Sequence, residues 1–155
     1  MRWLISAMIG ALLIFALPAQ AAQKAVPKAV PKAVPKAVQG TWIAVAAERE
    51  GKAADDVVGH RLALAGNAFK LRSKDGKLLS AGRLRTDPKA QPATIDFEHT
   101  EGTLKGQAWK GIYVLAGDTL KICDNAGNVD KDRPTTFEAT TGSGYVLVTF
   151  RRAKP

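Results

Sequence analysis

Groups able to do chemistry are what this chain has least of. Its 155 residues include two histidines, His60 and His99, and one cysteine, Cys123. One cysteine cannot close an intrachain disulfide, so the fold must be held by an apolar core. A small buried thiol is the expectation for Cys123. No Gly-x-Ser-x-Gly elbow, His-Glu-x-x-His pair or Cys-x-x-Cys motif occurs. Nothing therefore supplies an activated nucleophile or a base with an orienting partner, and an enzyme is not expected. The longest apolar run, Leu4 to Leu17, is shorter than the about 20 residues a membrane-spanning helix needs.

That run has a different use. Arg2 precedes it, Pro18 breaks it, and Ala19-Gln20-Ala21 offers small residues where a signal peptidase inspects the chain. Residues 1–21 read as a cleaved signal peptide, which implies a secreted or periplasmic protein. No cysteine stands just after Ala21 to accept a lipid. Residues 22–38 then hold Lys24-Ala25-Val26-Pro27, repeated at 28–31 and 32–35, with an unfinished copy at 36–38. A proline every fourth residue forbids a helix and favours polyproline II. The segment is read as a semi-rigid spacer. Its lysines, Lys24, Lys28, Lys32 and Lys36, have no acid among them and offer attachment to an anionic envelope polymer or lipid surface.

The net charge of +9 is not a property of residues 39–155. Taking Arg2 and the four spacer lysines from the 23 basic residues leaves 18 against 14 acids in that stretch. These charges are scattered rather than clustered with stacking aromatics, so nucleic acid is not an expected partner.

Residues 39–155 are dense in short β-patterns separated by Gly, Asp and Pro turns. Strands are expected at 41–47, 60–64, 68–72, 78–85, 94–98, 109–115, 119–123, 135–139 and 145–152. Gly66-Asn67, Ser73-Lys74-Asp75-Gly76, Ala116-Gly117-Asp118 and Gly142-Ser143-Gly144 mark turns. Only 52–58 suggests a helical turn. Sequential strands with short loops predict an all-β, up-and-down antiparallel barrel of about eight strands, closed so that no edge is left bare.

Gln39-Gly40-Thr41-Trp42 resembles the Gly-x-Trp signature of lipocalin-like barrels. With Pro92-Ala93-Thr94-Ile95-Asp96, Gly111-Ile112-Tyr113, Gly117-Asp118-Thr119-Leu120-Lys121-Ile122-Cys123 and Arg133-Pro134-Thr135-Thr136-Phe137, the pattern resembles an uncharacterised family of lipocalin-like domains expanded in planctomycete bacteria. The resemblance runs from Gln39 to about Arg152. It implies that Trp42 closes one barrel end beneath an arginine of the last strand, either Arg151 or Arg152. It implies no activity.

The first candidate site is the lumen. Trp42, Ala44 and Ala46 share one face of their strand, and Trp109, Gly111 and Tyr113 share another. Small inward residues (Ala44, Ala46, Gly111) would leave space lined by Phe69, Leu71, Ile95, Phe97, Leu120, Ile122 and Phe137. A small apolar ligand is the matching occupant. The alternative is a solid barrel that engages envelope components through its cationic spacer, with a hydrolase third. Asp96 and Glu98 share a face as a carboxylate pair, though outward acids on a half-exposed strand normally face solvent. Arg133 is in reach of Asp118 or Asp96. The loop 124–132 is rich in oxygen ligands but lacks the EF-hand pattern, because Ala126 takes its third position and no glutamate ends it. Turn chemistry accounts for its composition. No metal and no cofactor are expected.

Overall fold

A computed structural model describes residues 33–154. The expected signal peptide, Lys24, Lys28 and Lys32 lie outside the described residues. Nine strands succeed a short 3-10 turn at Lys36–Val38: β1 (Gly40–Arg49), β2 (Lys52–Ala53), β3 (Arg61–Ala65), β4 (Ala68–Arg72), β5 (Leu78–Asp87), β6 (Ala93–Gly102), β7 (Ala108–Ala116), β8 (Thr119–Asp124) and β9 (Val146–Arg152). Each pairs antiparallel with its neighbour in sequence, except that β3 pairs with β1 past the two-residue β2. β9 returns to β1, from Trp42↔Arg152 to Arg49↔Val146, and closes the sheet. The result is an all-β, up-and-down antiparallel barrel of eight strands, with β2 a short extension beside the far half of β1.

Local sequence explains the hairpins. Gly66, at φ 57°, supplies the left-handed turn between β3 and β4, a conformation that costs a residue bearing Cβ about 1 kcal/mol or more. In β6, Ile95, Phe97 and His99 alternate inward while Glu98 and Thr100 face solvent. The inward residues of all eight strands form one core around Trp42, Leu64, Leu84, Ile95, Leu120 and Phe150.

Four expectations are corrected. β1 carries a bulge: Ala44 pairs with Phe150 and Ala46 with Thr149, which leaves Val45 as the extra residue. Beyond it the alternation inverts, so Ala46 is exposed and Ala47 buried. Residues 52–58 make β2 and turns rather than a helical turn. Residues 135–139 form no strand: β8 pairs directly with β9, and β1 occupies the other edge of β9, so no edge is left for them. The last repeat of the spacer is not extended. Val34 and Val38 are buried in the core, and the 3-10 turn between them seals one barrel end.

The connection 125–145 starts against the core at Ala126, and its later part, from Arg133 to Ala139, packs outside the barrel. Arg133 forks onto Asp96 at 2.5 and 3.1 Å and donates to the Gly111 carbonyl at 2.7 Å. Pro134 and Ala139 are buried there, together with the outward-facing Ile112 and Cys123 of β7 and β8. Glu50 clips the far part of this connection, its carboxylate accepting from the Gly142 amide and its carbonyl from the Thr141 hydroxyl.

Candidate functional site

The two ends of the barrel differ in chemistry. At the closed end Trp42 is fully buried and its indole Nε1 donates to the Val38 carbonyl at 2.8 Å. The Arg152 guanidinium carbon lies 4.1 Å from the centre of that ring. Arg152 also donates to the carbonyls of Gln39 (2.9 Å) and Ala37 (2.7 Å) and reaches the Asp118 carboxylate at 3.3 Å. Arg151 is exposed on the other face of β9. Stacking, charge and hydrogen bonds all act on one guanidinium, which makes this end a plug.

The opposite end is hollow. A cavity of about 270 Å³ lies among the C-terminal ends of β1, β4, β6 and β8 and the N-terminal ends of β3, β5, β7 and β9. Its wall is apolar, built chiefly from Phe69, Phe97, Trp109, Ile122, Val148 and Phe150, with Leu62, Leu71, Leu79 and Leu104 toward the mouth. Four of its lining residues are charged or titratable: Arg49, Asp56, His60 and Asp124. Arg49 forks onto Asp56 at 3.0 and 3.2 Å, and both are substantially exposed. Asp124 differs, being only 6 % exposed.

Asp124 owes its position to the sheet. Alternation along β8 turns Leu120, Ile122 and Asp124 inward. Gly111 and Val146 flank it across the ladder, and a Cβ on Gly111 would come within 3.0 Å of the Asp124 Cβ. Gly111 therefore makes room for Asp124. One carboxyl oxygen accepts from the Ala126 amide at 3.1 Å, the only side-chain hydrogen bond Asp124 makes among the described residues. Burial lifts its pKa to about 7, opposed by that amide.

The thirteen residues expected to line a lumen divide accordingly. Phe69, Leu71, Phe97, Trp109 and Ile122 line the cavity. Trp42, Ala44, Ile95, Tyr113 and Leu120 are buried in the packed core nearer the plug and do not line it. Three expectations are wrong in kind. Ala46 faces solvent because of the bulge in β1. Gly111 leaves no void, since Ile95 and Asp124 fill its surroundings. Phe137 is half-buried in the outer connection, away from the central core.

Other expected groups have structural duties. Asp96 holds the Arg133 guanidinium, and Asp118 pairs with Arg152 instead. Glu98 is exposed. In the loop 124–132, Asn125 is fully buried: its carbonyl oxygen accepts from the Lys110 amide at 2.8 Å, and its NH2 donates to the carbonyls of Val129 and Lys131. That is turn chemistry, and no group of three or more His, Cys, Asp or Glu able to hold a metal occurs among the described residues. Cys123 is buried, 3.6 Å from the Glu138 carbonyl, and its thiol pKa is pushed up to about 11, by burial first and by Asp124 second.

Ser80 and His99 form a contact that no sequence motif announces. The serine Oγ lies 2.6 Å from His99 Nδ1 and donates to the Glu101 carbonyl at 3.1 Å. Ser80 has one hydroxyl proton, so with that proton on Glu101 it is Nδ1–H that donates to Ser80, leaving Nε2 a bare, buried acceptor without a partner. The imidazole packs edge-on to Trp109 at 4.2 Å and Phe69 at 5.2 Å, behind the cavity wall. Burial lowers its pKa to about 4. A base that weak, next to a hydroxyl with no exposure, is a packing device rather than a nucleophilic pair.

Comparison of the chain with protein-family models, curated proteins and solved structures finds no match. The class of protein is therefore defined by fold and site alone: a small closed β-barrel, plugged at one end by Trp42 and Arg152 and hollow at the other.

Proposed function

We propose that this protein is an exported, non-enzymatic binding module of the lipocalin-like kind, holding one small apolar molecule in the hollow end of its barrel. The cavity is the observation that supports the reading. Most ligand pockets fall between about 300 and 1,000 Å³, and an apolar cavity of about 150 Å³ already admits benzene. A volume of about 270 Å³ thus suits a compact ligand of one or two rings rather than a long lipid chain. Small apolar residues do not create the space. It lies against the edge-to-face cluster of Phe69, Phe97 and Trp109, while the core toward Trp42 packs solid.

The test is a thermal-shift and native mass spectrometry series on the full-length protein with benzene, indole and 2-phenylethanol. Binding of at least one, abolished by Leu71→Trp at the half-buried mouth, is the expected result. Indifference to all three would remove the reading.

A further inference from the structure

Of the charged side chains that line the cavity, Asp124 alone is buried, and it specifies the ligand beyond size. We propose that the cavity takes a small apolar molecule bearing a protonated amine, its ammonium seated against Asp124 and its body against Phe69, Phe97 and Trp109. This rests on the reading of the hollow end as a binding site.

The geometry is specific. Asp124 is buried, yet its carboxyl meets one backbone amide and no cation among the described residues. A carboxylate carries about four acceptor positions, so most of its capacity stays unused and faces the cavity. Its ladder neighbours, Gly111 and Val146, bring neither charge nor donor side chain to it. The other titratable or charged groups facing the cavity are Arg49, Asp56 and His60, and the Cys123 thiol next in sequence turns to the opposite face, toward Glu138. Arg49 is already forked onto Asp56 where solvent reaches both, which leaves Asp124 as the deep unneutralised acid. Charge attraction is far stronger in a dry site than at an exposed rim. An amine supplies the missing cation and up to three donors, and the three aromatic side chains supply faces that attract cations. A carboxylic acid ligand would instead meet a like charge at depth.

The state of Asp124 sets the pH dependence. An ammonium pairs with the ionised carboxylate, so where the acid is protonated, binding must release that proton to solvent. With the pKa of the empty site at about 7, roughly one carboxyl in a hundred is ionised at pH 5. Affinity for an amine then rises roughly a hundredfold between pH 5 and pH 8, whereas affinity for an uncharged analogue stays level.

The experiment is calorimetric titration of the full-length protein with 2-phenylethylamine and 2-phenylethanol at pH 5 and pH 8, repeated with Asp124→Asn. Asparagine keeps an oxygen that can accept from the Ala126 amide, so that turn contact is conserved in the variant. The expected result is amine binding at least tenfold tighter than alcohol at pH 8, that advantage vanishing at pH 5 and in the variant. Equal affinity for the two probes at pH 8 would overturn the inference and leave the cavity reading standing. So would an amine preference or pH dependence that survives Asp124→Asn, which would place the effect on another group of the cavity. Failure of the wild type to bind either probe at millimolar concentration would overturn both.

Discussion

Arg152 lies across the indole of Trp42, 4.1 Å from the ring centre, and the two are direct partners in the β1–β9 ladder that closes the barrel. The same guanidinium gathers the carbonyls of Ala37 and Gln39, so one side chain joins the first strand, the last strand and the segment that precedes them. Arg152→Ala is expected to cost about 2–3 kcal/mol, from the lost ring contact and from two carbonyls deprived of a charged donor. Arg151→Ala, on the exposed face, should stay within about 0.5 kcal/mol. Urea unfolding of both variants checks this, and equal midpoints would contradict it.

The bulge in β1 makes adjacent alanines unequal. Ala46→Glu places its charge in solvent and should shift stability by less than about 0.5 kcal/mol. Ala47→Glu forces an unpaired carboxylate into the core and should cost more than about 3 kcal/mol or prevent folding. Circular dichroism melts of the pair read the result directly.

Two buried groups impose opposite pH dependences. His99 is held down at about 4, so the unfolded chain binds more protons between its ordinary 6.5 and 4, and stability is lost as pH falls through that window. Asp124 is held up at about 7, so the native state binds more protons between 3.8 and 7, and stability is lost as pH rises. Each slope approaches about 1.4 kcal/mol per pH unit at its steepest, and the two nearly cancel between about pH 4 and 6.5. Asp124→Asn should therefore unmask stability that climbs with pH, and His99→Gln stability that falls with pH. Denaturation series at pH 4.5, 5.5 and 6.5 check both signs.

Cys123 should be inert in the native state. Its thiol is buried and its pKa lies at about 11, so little thiolate exists at neutral pH and reagent has no access. Labelling by a disulfide reagent should proceed only at the rate of unfolding and become immediate in concentrated urea. Rapid stoichiometric labelling of folded protein would contradict this burial.

Most strands are legible in the sequence because their alternation is local. Ile95-Asp96-Phe97, Phe69-Lys70-Leu71 and Leu120-Lys121-Ile122 each declare an inside and an outside, and the Gly66 and Gly117 turns declare the hairpins. Other features depend on distant partners. Period-two counting from Trp42 carries Ala46 inward, because a bulge is set by how β9 lies against β1 and not by β1 itself. Thr135 to Ala139 alternates like a strand, yet barrel closure leaves it no edge. Residue size is a poor guide to the cavity lining, and it misplaces Gly111: the glycine accommodates Asp124 rather than a ligand. Asp124 is within reach of the same alternation that marks Leu120 and Ile122. Its place beside Asn125 in an oxygen-rich loop suggests metal or turn chemistry instead, and hides its inward direction.

The central claim is that a ligand enters the hollow end and stops short of the plug. Methyl NMR of the full-length protein titrated with 2-phenylethanol tests it most directly. The account predicts shifts at Leu62, Leu71, Ile122, Val146 and Val148, which line the cavity, with Leu84, Ile95 and Leu120 unmoved. A silent titration, or shifts centred on the methyls around Trp42, would contradict it.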